Sequence, residues 1–406
     1  MQKEIIKTKS TNYTVNITNS KVTSLRKVVN TLTTVRAYEN GYIGIAGGVG
    51  EIDLAELEQQ AIANLDNKMT YPCELPENVT KDVDVANAII NPDNFVEICS
   101  SIMSRVSLAA PTFMFSNIIV YSELEKYYSN SCNSSLSYKG NSIQVALVLK
   151  EKSSANLFDL FYEAEADYID IDQIVADITD LTANYYIPCD ISEGTHKVIF
   201  NGFNVVDSAM QHLSCEMYGV GASLFKDSLG KQIFNQDFNL YYNSNPEEQI
   251  CIPFFDAEGR FGQDYKSYII KDGILTNLLG NKKVAQKFNL PCAERSSADY
   301  DGLAQASHVG MEIGCNNQSL AELAGEEAVL ITIASGGDMT SSGDYATPVQ
   351  LAYLYRNGKI VGRLPNLNIS GNIKDIFGKD YIGSTSTLCR RYGKSSYTLA
   401  LMNVTK

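Results

Sequence analysis

Three residue types that can bind a metal or move a proton fall close together in the stretch DSAMQHLSCEMYGVGASLFKDSLGKQIF, residues 207–234: His212, Cys215 and Glu216. His212 is one of three histidines in the chain. A helix from about 203 to 217 would carry Val206, Met210, Leu213 and Met217 as one apolar stripe. His212 and Glu216, four apart, fall off that stripe and would share a polar face with Ser208. Such a pair could supply two neighbouring metal ligands. A zinc site needs three or four Cys, His or carboxylate ligands, and a catalytic one also needs a general base beside the bound water. One His and one Glu fall short, so the simpler expectation is a solvated or partner-facing helix surface.

Other chemistries find less support. His196 follows a Thr at a strand start and His308 sits in QASHVGMEIG, with no GxSxG nucleophile elbow, so both read as structural. Nine cysteines are scattered singly without a CxxC, which is neither a zinc ribbon nor a disulfide framework, and most read as small buried hydrophobes. The run GIAGGVGEIDLAELEQQAIANL sets glycines before a helix as a phosphate loop would. It lacks the Lys-Ser/Thr and the GxGxxG spacing, while Asp53 and Glu56 form a capping box for a helix from about 54 to 65. A flexible strand-to-helix turn is expected there. Glu163, Glu165, Asp167, Asp170, Asp172, Asp177 and Asp180 crowd one region without the glycine and terminal glutamate of a calcium loop, and read as a solvated face.

These residues need elements to position them. The 406 residues suggest two or three domains, and 44% hydrophobic content supplies ample core. Alternating YTVNIT and β-branched TLTTVRAY, with a turn at Asn40-Gly41, predict a β-meander in the first 50 residues. A helix after Asn91-Pro92 would bury Phe95, Ile98, Cys99, Ile102 and Val106. SNIIVYSELEKYY and NSIQVALVLKEK predict two strands joined by the polar tract 129–142 as a loop or hairpin tip. NLFDLFYEAEA and the segment bearing Ile171, Ile174, Val175, Ile178 and Leu181 predict two amphipathic helices. Beyond about 190 the pattern turns to strands, with hairpins at Asp272-Gly273 and Asn357-Gly358. The expected fold is α+β: an N-terminal α/β region over 1–190 with antiparallel sheet and amphipathic helices, with a split near 110 left open, then a domain over 191–406 rich in antiparallel β-sheet.

Composition limits the function classes. The net charge is −14, from 47 acidic against 33 basic residues, so phosphate backbones would be repelled and direct nucleic-acid contact is not expected. Apolar runs such as VALVL at 145–149 are too short to span a bilayer, and no membrane association is expected. The N-terminal MQKEIIKTKS puts charges where a signal peptide needs an apolar core, which makes the cytoplasm the expected compartment.

The segments SLFKDSLGKQIF, IPFFDAEG and KSYIIKDGILTNLLG, then GGDMTSSGDYATPVQLAYLYRNGKIVG and NISGNIKDIFGKDYIG, resemble the C-terminal half of the TldD/PmbA family, also described as modulators of DNA gyrase. TTVRAYENGYIGIAGG followed by a helix resembles that family's first domain. One branch, TldD, resembles a zinc peptidase with HExxxH on this helix and a further cysteine ligand near the C-terminus; the other, PmbA or TldE, lacks the motif. Counted back from SLFKDSLG, the HExxxH slot falls on residues 207–212, where only His212 matches. Shifted by one, Asp207 takes the Glu slot and Val206 and Gln211 the two His slots. Cys389 lies near the family's cysteine position, but Arg390 stands where a glycine should follow. The GDY segment around Asp344 resembles the PmbA branch.

The resemblance implies a non-catalytic, PmbA/TldE-like subunit with no catalytic residue or cofactor of its own. It would dimerise with itself or with a TldD-like subunit that carries the zinc, and the pair would act on extended, unfolded or ribosomally made peptides. Two alternatives stay open: a zinc metallopeptidase using His212, Glu216 and Cys389 as an altered ligand set, and a gyrase-associated regulator.

Overall fold

The structure, a computed structural model, describes residues 1–293, 295–316, 318–385, 392–393 and 396–406, without the side chains of Phe203 and Gln263. Strands β1 (Gln2–Thr18) and β2 (Lys21–Glu39) pair along their whole lengths, and β3 (Tyr42–Val49) follows through the Asn40-Gly41 turn. Its two φ angles, 53° and 78°, are the left-handed pair a type I′ hairpin requires, which Asn and Gly adopt most readily. β4 (Met69–Thr70), β5 (Thr80–Asp84), β6 (Phe113–Asn130), β7 (Ser135–Glu151) and β8 (Leu160–Ala166) complete one sheet. The strand order is β4-β3-β2-β1-β6-β7-β5, with β8 also paired to β7.

Two expectations are corrected here. The polar tract 129–142 is mostly strand, because Leu136 and Tyr138 of β7 point into a cluster with Tyr128 and Phe255, leaving only 131–134 as the turn. The expected helix NLFDLFYEAEA is instead the antiparallel strand β8, whose alternation buries Leu160, Tyr162, Ala164 and Ala166 and exposes Phe161, Glu163 and Glu165. Pairing with β7 outweighs the helical propensity of Ala and Glu.

Helix α1 (Leu54–Ala63) is capped by Asp53, which accepts from the Ala55 N–H at 2.9 Å, and it buries Leu57 and Ala61 against Val35 and Ala46. Of the preceding glycines, Gly44, Gly47 and Gly48 lie in β3, and only Gly50, at φ 89°, serves the turn into the helix. Gly47 lies within β3, where a Cβ would collide with the Tyr300 carbonyl, so its smallness admits a crossing chain. Helices α2 (Phe95–Ala109) and α3 (Ile171–Ala183) pack against the sheet through Phe95, Cys99, Ile102, Val106, Ile174, Ile178 and Leu181.

The second half begins with β9 (Gly194–Phe200). β10 (Leu240–Asn243), β11 (Lys266–Lys271) and β12 (Ile274–Leu275) precede a small pair, β13 (Ser296–Ser297) with β14 (Gln305–Ala306), and then β15 (Met311–Ile313). β10, β11, β12 and β15 form a four-stranded sheet. The last strands are β16 (Glu327–Ala334), β17 (Asp338–Met339), β18 (Asp344–Arg356), β19 (Lys359–Arg363), β20 (Leu367–Asn372), β21 (Tyr381–Thr385) and β22 (Tyr397–Thr405). They join β9 in an order β16-β9-β22-β20-β18-β17, and β16 also pairs β18, closing the sheet on itself. Every pairing in it is antiparallel except β9 with β16. Ile199, Leu330, Tyr353 and Leu399 from this sheet share one cluster with Phe115, Val145 and Ile178 of the first half. The fold is α+β. No described helix is long and apolar enough to cross a membrane.

Candidate functional site

The segment around His212 is three short helices rather than one. α4 (Gly202–Asp207) ends early, a 3-10 turn covers Met210–Leu213, and α5 (Cys215–Gly219) starts afresh. Ser214 causes the break: its backbone is extended and its hydroxyl caps α5 by accepting from the Met217 N–H at 3.2 Å. Cys215 N–H donates to the Leu279 carbonyl and Leu279 N–H to Leu213, a β-bridge that pulls the chain out of helical register.

That break corrects the expected polar face. His212 is only 6% exposed, while Glu216 faces solvent on a separate helix. The ring Nδ1 accepts a hydrogen bond from the Leu224 N–H at 3.1 Å, and Ser223 Oγ donates to the His212 carbonyl at 2.5 Å. With Nδ1 an acceptor, the proton sits on Nε2, and burial lowers the imidazole pKa from its ordinary value. Asp207 lies on the outside, its Oδ1 3.7 Å from Nδ1 of His308, with both side chains exposed. His196 Nε2 contacts the Ser192 carbonyl at 2.8 Å. Cys389 lies outside the described residues. His212 and Glu216 thus stand on different helices, one buried and one exposed, and the described residues contain no group of three His, Cys, Asp or Glu that could hold a metal.

A cavity of about 920 Å³ lies elsewhere, between the two halves of the chain. Consecutive residues 161–165 of β8 line it, so it runs along the edge of that strand. Among the described residues no strand pairs with β8 except β7. Gly393 covers the far end of the edge, where a Cβ would come within 2.5 Å of the Glu165 carbonyl. Across the cavity stand Tyr241, Glu312, Ile313 and Tyr397, with Asn201 just before α4 and Asn204 within it.

The acidic cluster expected to be a solvated face is divided. Glu163 and Glu165 are exposed on the cavity side, with Glu163 accepting from Gln144 Nε2 at 2.8 Å. Asp177 is buried beneath them. It accepts from Tyr162 Oη at 3.0 Å, from Gln173 Nε2 at 2.9 Å and from the Tyr392 N–H at 2.8 Å, which satisfies the buried carboxylate. On the far wall Glu312 is held by Asn243 at 3.0 Å and Gln249 at 2.8 Å. Tyr241 beside it has its pKa raised, first by burial and then by the Glu312 charge. The cleft offers aromatic rings and carboxylates along a strand, on a scale that can take an extended chain. Sequence reasoning missed it because β8 was assigned to a helix, although the alternation in LFYEAEA carried the signal.

Fold and cleft together define an α+β protein with a large groove between its sheets. Residues 194–404 match the PmbA/TldA metallopeptidase C-terminal domain, just over half the chain, and the chain belongs to the TldD/PmbA family. It is 23% identical over 327 residues to a zinc metalloprotease TldD homolog of Saccharolobus solfataricus, covering 75% of this chain and 72% of that one. A 170-residue match at 26% identity to MJ0231 of Methanocaldococcus jannaschii covers 41% of this chain and 40% of that protein. The structure of TldE from Thermococcus kodakarensis superposes with a TM-score of 0.80 at 14% identity, over 100% of this chain and 97% of that one, which shows a shared fold.

Proposed function

We propose that this chain is a PmbA/TldE-like, non-catalytic subunit of a zinc-dependent peptidase. In this reading it dimerises in the cytoplasm with a TldD-like subunit or with a second copy. Zinc, the general base and the polarised water belong to the TldD-like partner, and the substrate is an unfolded or ribosomally made peptide. Residues 1–190 and 191–406 act as two domains that hold the peptide between them.

The observation that carries this reading is the state of the segment where the catalytic branch has its HExxxH. Here His212 is turned inward with Nδ1 engaged by Leu224, and Glu216 faces away into solvent. The long cleft between the two halves, walled by Tyr241, Tyr397, Glu163 and Glu312, supports the substrate class, because it has room for an extended chain. The test is cleavage of an unstructured peptide by the purified chain alone and by its mixture with a TldD-like subunit. The mixture should cleave where the chain alone does not. Metal-dependent cleavage by the chain alone, abolished by His212→Ala, would overturn the reading.

A further inference from the structure

A second, smaller cavity of about 200 Å³ lies where β1, β2 and β6 meet segments 253–257 and 295–300. Among the buried and half-buried charges around it, cations outnumber carboxylates. Three buried carboxylates stand around it, Glu4, Asp256 and Glu258, each about 1% exposed, and a fourth, Asp299, lines its exposed rim. Glu4 is held by Arg36 at 2.9 Å and by the hydroxyls of Tyr38 and Tyr128. Arg260 lies 3.1 Å from Asp256 and 2.9 Å from Glu258, and Lys282 lies 3.5 Å from Glu258. Those three cations match the three buried carboxylates.

Two further cations, Lys126 and Arg295, line the cavity, and neither has an ion-pair partner within 4.0 Å among the described residues. Arg295 is 6% exposed, and its Nη1 donates to the Pro253 carbonyl at 3.1 Å. Lys126 Nζ donates to the Asp256 carbonyl at 3.2 Å and sits 5.1 Å from the centre of the Phe255 ring. Burial first, and then the Arg295 charge, bring the Lys126 pKa down to about 8. The Asp256 charge acts on both Lys126, which is half-buried, and Arg295, which is buried, but this one carboxylate is already paired to Arg260, so a further anion in the cavity would be stabilised by both cations. Thr8, Thr34, Ser296 and Ser307 add polar walls. The volume is below the roughly 300 Å³ at which sites for drug-sized ligands begin.

We propose that this cavity binds a small oxyanion, a carboxylate or a phosphate, between Lys126 and Arg295. The guanidinium offers a planar fork to two oxygens and the ammonium a point charge to the third. Because Lys126 belongs to the first sheet and Arg295 to the second half, the anion would join the two halves. The site does not depend on the peptide-cleft reading.

The test is the thermal midpoint of the full chain at constant ionic strength, with chloride as reference. The added probes are inorganic phosphate, an acetylated dipeptide with a free carboxylate, and its amide. A saturable rise with phosphate is expected if the source is free phosphate, and with the dipeptide acid if it is a chain terminus, with the amide inert. Lys126→Met and Arg295→Gln should each weaken the effective probe at least tenfold. If either variant fails to fold, calorimetric titration of the wild type should show one anion per chain. No saturable response to either anion, an equal response to the amide, or a response undiminished in the variants would overturn the proposal.

Discussion

At His212, a base buried as a hydrogen-bond acceptor is held neutral. Its folded-state pKa lies below the unfolded value of about 6.5, so the proton is taken up preferentially by the unfolded chain. The stabilisation is present above that value and is lost as pH falls through the interval between the unfolded and folded pKa. Asn at this position can still accept from Leu224 N–H through its Oδ1 but does not titrate. His212→Asn should therefore reduce the drop in thermal midpoint between pH 7.5 and pH 5.5, and melts at the two pH values measure it. An unchanged drop would assign the acid sensitivity to other groups. The sequence placed this histidine on a polar face because 3.6-residue periodicity assumes an unbroken helix. The bridge from Ser214 to Leu279, between residues 65 apart, is a tertiary contact with no local signature.

Among elements, hairpins were legible and edges were not. Asn40-Gly41, Asp272-Gly273 and Asn357-Gly358 all adopt paired positive φ angles, since turn chemistry is local and needs no partner. The first β-turn was missed: Asn19 and Ser20 take φ of 49° and 63° without a glycine to mark them. β8 and the start of β7 were misread because polar or helix-forming residues became strand through pairing, β8 with the preceding strand β7 and the start of β7 with β5 some 55 residues away. Gly273 tests the local argument. Its φ is +74°, and a Cβ would come within 2.5 Å of the Phe234 and Asn235 carbonyls. Gly273→Ala should destabilise by at least about 1 kcal/mol, the cost of a left-handed residue with a side chain, and lower the urea midpoint with an unchanged slope.

Over the whole molecule, the two halves are joined by a shared core and by buried charge. Arg36 bonds Glu4 within the first sheet and also donates to the Ala257 carbonyl of the second half at 2.8 Å. Arg36→Leu leaves Glu4 buried without its cation and should cost about 3–5 kcal/mol in denaturant unfolding. Adding Glu4→Leu should recover part of that loss, because it removes the orphaned charge. The α+β class and the longer second-half strands, such as β16, β18 and β22, were readable from periodicity and turns, whereas short strands such as β10, β13, β14 and β17 were not. The cleft was not, since residues 161–165 and 312–313 meet only after folding.

The central claim is that this chain carries no zinc site of its own, and metal content tests it most directly. Plasma mass spectrometry of the purified full chain, after dialysis against a weak chelator, should find far less than one zinc per chain. About one zinc per chain, lost on His212→Ala, would contradict the account and place the protein with the catalytic branch.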